Sequence, residues 1–83
     1  MTIEIGPNGV VVPAEILGPL LDVAPADVPN LMRDGEITSR LEAGADEDVG
    51  RHRLTFWYGG LRLRLTIDGQ GDILTTTRVR TKP

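Results

Sequence analysis

Two seven-residue runs that alternate without a break, His52-Arg53-Leu54-Thr55-Phe56-Trp57-Tyr58 and Leu61-Arg62-Leu63-Arg64-Leu65-Thr66-Ile67, are joined by Gly59-Gly60 and leave the second half of this chain little choice of fold. Successive side chains of a strand point to opposite faces, so a period of two held over seven residues marks a half-buried strand. Two glycines supply the two positive-φ positions of a tight hairpin turn, and such a turn sets the register. Tyr58 then faces Leu61, Phe56 faces Leu63, Leu54 faces Leu65 and His52 faces Ile67, which makes one side of the hairpin apolar. On the other side Trp57 faces Arg62, Thr55 faces Arg64 and Arg53 faces Thr66. A slip of one residue would exchange the two faces.

The flanking segments extend this hairpin. Asp68-Gly69-Gln70-Gly71-Asp72 turns the chain into a threonine-rich strand over 73–81, whose faces depend on the loop register. From Glu36 to Glu42, Ile37, Ser39 and Leu41 alternate with Thr38, Arg40 and Glu42, a further strand, and the acidic stretch Ala43 to Gly50 reads as a solvated loop. At the start, Ile3 and Ile5 alternate with Thr2 and Glu4 ahead of Gly6-Pro7-Asn8-Gly9 and Val10 to Val12, which predicts a hairpin. In its turn Pro7 and Asn8 take the central positions and Gly9 the left-handed residue of a bulge. Ile16, Leu17, Leu20 and Leu21 fall at helical spacing after Pro13, predicting a short helix over 13–21 that Pro19 bends or shortens. A second helix runs from about Ala26 to Asp34, with Val28, Leu31 and Met32 on one face, Pro29 in its first turn and Gly35 as its C-cap. The predicted fold is α+β, in the order ββααββββ. Its antiparallel β-meander is covered on one face by two short helices, with Leu54, Phe56, Leu63 and Leu65 buried against Leu17, Leu20, Leu31 and Met32.

Eighty-three residues, 40% of them apolar, suffice for one modest core, so residues 1–83 read as a single domain. No apolar run is longer than Val10-Val11-Val12, and Gly18 and Pro19 interrupt Ile16 to Leu21, far from the ~20 residues that span a bilayer. Met1-Thr2-Ile3-Glu4 carries no basic patch ahead of a hydrophobic stretch, so no secretory signal and no membrane association are expected. The absence of cysteine removes disulfides, thiolate metal sites and thiol nucleophiles, and it fits a reducing, cytoplasmic setting. Charge is split unevenly. Residues 1–50 hold ten acidic side chains against Arg33 and Arg40, a net −8, and residues 51–83 hold seven basic ones against Asp68 and Asp72, a net +5. Such a dipole points to an electrostatic partner, or to the two halves packing together within one chain or pairing between two copies.

The helix-free sheet face gathers Trp57, Arg62, Arg64 and Arg53, with Arg78 and Arg80 as further candidates. Arginines with an aromatic suit a protein interface, and they also suit nucleic acid, although RNA-binding sheets normally present two or three stacking aromatics. Leu20 to Ile37 resembles the helix-turn-helix of excisionase-like and mercury-regulator-like DNA-binding proteins, which also end the second helix in Gly-Glu and an apolar residue, here Gly35-Glu36-Ile37. Its would-be recognition helix offers Asn30 and Arg33 against Asp27 and Asp34, a poor match to phosphate. No metal site is expected. His52 is the sole histidine and sits on the core side, and Asp46, Glu47 and Asp48 lack the glycine and closing glutamate of a calcium loop. Gly69-Gln70-Gly71 has no further glycine or lysine to cradle a phosphate, so no cofactor is expected either. Ser39 is the sole serine and has no spacing that ties it to His52, so no catalytic residue is assigned and the chain is not expected to be an enzyme.

Over its whole length the chain resembles a family of small bacterial proteins known only as a domain of unknown function, through Val28-Pro29-Asn30-Leu31-Met32-Arg33-Asp34-Gly35-Glu36-Ile37-Thr38-Ser39-Arg40 and Gly50-Arg51-His52-Arg53-Leu54-Thr55-Phe56. That resemblance implies no activity, cofactor or functional residue. The expectation is a non-catalytic interaction module that self-associates or binds a protein through its sheet. A small nucleic-acid-binding regulator, using the basic face or a degenerate helix-turn-helix, is the alternative.

Overall fold

The computed structural model describes residues 3–6, 9–44 and 50–81. Strands β1 (Glu4–Gly6) and β2 (Gly9–Val11) form a two-stranded hairpin with Gly6 opposite Gly9, and the turn residues Pro7 and Asn8 lie outside the described residues. Helix α1 spans Ala14–Leu21, a 3-10 turn spans Pro25–Asp27, and helix α2 spans Val28–Arg33. Four antiparallel strands follow in sequence order, β3 (Thr38–Ala43), β4 (His52–Tyr58), β5 (Leu61–Ile67) and β6 (Ile73–Arg80). The observed fold is the α+β arrangement expected. The β4–β5 pairing runs from His52 opposite Ile67 to Tyr58 opposite Leu61, as the Gly59-Gly60 turn requires, and both glycines have positive φ.

Both helices end by the same device. In α2, Gly35 takes φ +79°, its N–H bonds the Met32 carbonyl and the Glu36 N–H bonds the Leu31 carbonyl, the double closure of a Schellman motif. In α1 the left-handed residue is Asp22, at φ +62°, with its N–H on Pro19 and the Val23 N–H on Gly18. Pro29 falls in the first turn of α2, where its missing N–H costs nothing, and Pro19 lies within the eight residues of α1.

The core is Ile3, Leu17, Leu21, Val28, Ile37, Leu54, Phe56 and the inward side of β5, Leu61, Leu63, Leu65 and Ile67, with Leu20 and Leu31 packed at its margin. Met32 is not part of it: at 38% exposure it lies on the outer side of α2, because Val28 and Leu31 already occupy the face that meets the sheet. The two outer strands are exposed along their whole length, β3 included.

Gly18 is the contact point between α1 and the loop behind it. A Cβ there would lie 2.9 Å from the Val23 carbonyl oxygen and 3.0 Å from the Pro25 nitrogen, all backbone atoms. Replacing a helical glycine by alanine ordinarily gains up to ~1 kcal/mol. Gly18→Ala is expected instead to lose ~1–2 kcal/mol, because overpacking of this kind costs ~1–3 kcal/mol. A urea titration checks this, and a raised midpoint would show that the loop yields.

Candidate functional site

The helix-free face of the four-stranded sheet is assembled row by row from the strand register. One row holds Thr38, Trp57, Arg62 and Val79; the next holds Arg40, Thr55, Arg64 and Thr77; the third holds Glu42, Arg53, Thr66 and Thr75. Trp57 and Val79 are each 38% exposed and flank Arg62, so large apolar surface lies on either side of a guanidinium. Thr55, between Arg40 and Arg64 in the strand register, is buried. The Arg64 Nε is buried too and has no hydrogen-bond partner. A guanidinium N–H withdrawn from water without an acceptor is costly.

Four of the six basic or aromatic residues expected on this face, Trp57, Arg62, Arg64 and Arg53, are there. Arg78 and Arg80 are not. They stand opposite Leu63 and Leu61, on the side the helices cover, where the Arg78 Nη2 donates to the Asp22 Oδ2 at 3.0 Å and Arg80 approaches the same oxygen at 3.9 Å. The cause is the register: Arg64 pairs with Thr77, Thr66 with Thr75 and Ile67 with Ile73, so an irregularity at Leu74 changes the parity of the strand. Both partners of the ion pair are well exposed, so its contribution is small, ~0–1 kcal/mol.

The face also holds Arg40 and Val79, which strand-by-strand reading had not placed there. A signal existed for Arg40, since Thr38, Arg40 and Glu42 are the polar half of the β3 alternation and must share a side with the polar half of β4 once the two strands pair. Among the described residues Glu42 is the sole acid on this face, against Arg40, Arg53, Arg62 and Arg64.

The other candidates stay apart. Ser39 is opposite Phe56 and His52 opposite Ala43, four strand positions away and so ~13 Å along the sheet at ~3.3 Å per residue. The His52 Nδ1 is buried without a partner beside a hollow of ≈ 220 Å³ that Glu42, Arg51, Arg53 and Thr66 also line. Asp46, Glu47 and Asp48 lie outside the described residues. The Asp68 carboxylate accepts from the Gln70 and Asp72 N–H groups and is spent on its own turn. Asn30 and Arg33 bond each other at the end of a six-residue helix whose inner residues pack on the sheet. Among the described residues no group of three or more His, Asp or Glu side chains is placed to hold a metal ion, and no helix is long and apolar enough to cross a membrane.

Helix-capped meander and cationic outer face together define a small α+β protein with one open, arginine-rich sheet surface. The chain belongs to the Family of unknown function (DUF6522), whose model matches residues 1–83. No curated protein and no solved structure matches it.

Proposed function

We propose that this protein is a non-catalytic cytoplasmic interaction module that binds an acidic protein surface through the helix-free face of its sheet. The observation that carries the reading is the row in which exposed Trp57 and Val79 flank Arg62, backed by Arg40, Arg53 and Arg64. Tryptophan and arginine are the side chains most enriched among residues that dominate binding energy at protein interfaces. Two such faces would not pair with each other, since each would bring four guanidiniums against four. A partner carrying carboxylates satisfies the face, on which four guanidiniums stand against the single acid Glu42 among the described residues. Nucleic acid is the competing occupant, and it is disfavoured because Trp57 is the one aromatic on this face, Phe56 and Tyr58 pointing to the other.

The test is an NMR titration of the isotope-labelled protein with a glutamate–leucine copolymer and, separately, with oligothymidylate. The copolymer is expected to shift the Trp57 indole and the backbone around Arg62 and Arg64. Trp57→Ala combined with Arg62→Ala should weaken that binding by ~2 kcal/mol or more without unfolding the chain. Arg78→Ala with Arg80→Ala, on the opposite side, should leave it unchanged. Tighter binding of oligothymidylate, with log affinity falling by ~0.7 per contacted phosphate per log unit of salt, would replace this reading with the nucleic-acid one. Silence from both probes would refute the face as a binding surface.

A further inference from the structure

The sheet has two free edges, and they differ. On β6 the ladder is irregular at Thr66/Ile67, and the strand carries Arg78 and Arg80, two devices that natural sheets use to discourage edge pairing. β3 has neither. Its six residues pair with β4 in unbroken register, contain no proline or lysine, and are all exposed, Leu41 at 43%. Among the described residues nothing is hydrogen-bonded along its outer side.

The backbone direction of that outer edge follows from one bond. The Gly44 N–H donates to the Arg51 carbonyl at 2.9 Å, so the backbone groups of Gly44 point toward β4. With the two-residue alternation of a strand, those of Glu42, Arg40 and Thr38 do as well, and the N–H and C=O groups of Ser39, Leu41 and Ala43 point outward. An antiparallel partner must therefore oppose one of these odd-numbered residues with another. If the partner is a second β3, three central registers are open. Ser39 against Leu41 of the second copy places Arg40 directly opposite Arg40. Leu41 against Ala43 places Glu42 directly opposite Glu42. Leu41 against Leu41 places Arg40 opposite Glu42 twice, in the non-hydrogen-bonded pairs where side chains come closest. Neither Arg40 nor Glu42 has an ion pair with a described residue of its own chain.

We propose that two copies of this protein join edge to edge along β3, antiparallel about a twofold axis at Leu41, to make one continuous eight-stranded sheet. Opposite charges select the register, about six main-chain hydrogen bonds close the seam, and the two exposed Leu41 side chains meet on the helix side. The helix-free faces of both copies then lie on one side of the joined sheet, with each Arg40 neutralised at the seam and Arg53, Arg62 and Arg64 left outward on either flank. The dimer does not depend on what binds that face.

Sedimentation equilibrium over a wide concentration range, with hydrogen exchange read residue by residue, tests the proposal. The unmodified chain should show a monomer–dimer equilibrium, and the amides of Ser39, Leu41 and Ala43 should gain protection as concentration rises, whereas those of Thr38, Arg40 and Glu42 should not change. R40E and E42R should each weaken self-association roughly tenfold, because each turns two opposite-charge pairs into like-charge pairs. Mixing R40E with E42R, or combining both substitutions in one chain, should restore it. A chain that stays monomeric at every concentration overturns the proposal. So does a dimer indifferent to both charge reversals, one that fails to return in the mixture and the double variant alike, or one whose odd-numbered β3 amides gain nothing.

Discussion

Phe56→Ala is expected to remove about 3–5 kcal/mol of stability, most of what a domain of this size possesses. Phe56 sits at the middle of β4, is 3% exposed, stands opposite Leu63 and is the sole phenylalanine of the chain. Its ring belongs to the single buried cluster that joins the helices to the meander, and its removal leaves a cavity there. Thermal and urea unfolding, followed by the fluorescence of Trp57 on the opposite face, measure the loss. A variant that melted within a few degrees of the parent would show that the inner face of β4 is not the centre of the core.

Gly71→Ala should be nearly as damaging, for a different reason. Gly71 holds φ +87°, and a Cβ on it would lie 1.9 Å from the Ile3 carbonyl oxygen, a backbone atom that cannot step aside without moving the start of β1. The Ile3 N–H also donates to the Gly71 carbonyl at 2.9 Å, and Ile3 is buried in the core. Displacing it forfeits ~2 kcal/mol of apolar burial, and a side chain at this φ adds ~1–2 kcal/mol, so a loss of about 3 kcal/mol or more is expected. Gly69→Ala, two residues away, is the control. Its φ is not in the left-handed region and its nearest backbone neighbour would be 3.4 Å from the new methyl, so it should change stability by no more than about 0.5 kcal/mol. Equal effects at the two glycines, or an Ile3 amide that keeps its exchange protection in Gly71→Ala, would contradict the docking of the first strand on this turn.

Local chemistry alone determined the centre of this protein. The alternation from His52 to Ile67 and the Gly59-Gly60 turn dictated a hairpin, its register and the side on which Trp57, Arg62, Arg64 and Arg53 stand, because strand geometry leaves no freedom once a two-residue turn is set. Gly35 announced the end of α2 in the same way, as the one residue that takes the left-handed position without strain. Other features depended on distant parts of the chain meeting. The faces of β6 hinge on one irregular residue, Leu74, that no pattern in Ile73 to Arg80 marks, and so Arg78 and Arg80 went to the helix side, where Asp22 receives them. Met32 and Leu41 have the spacing of core residues, yet both are exposed, Met32 because Val28 and Leu31 take the inner side of α2 and Leu41 because it stands on an edge strand. Arg40 joined the cationic face only through the pairing of β3 with β4, and the constraint on Gly71 arises only when Ile3 is laid against it from the far end of the chain. Periodicity and turn chemistry act between neighbours in sequence, whereas edge position, a ladder irregularity and a backbone contact across some seventy residues exist only after the chain has folded.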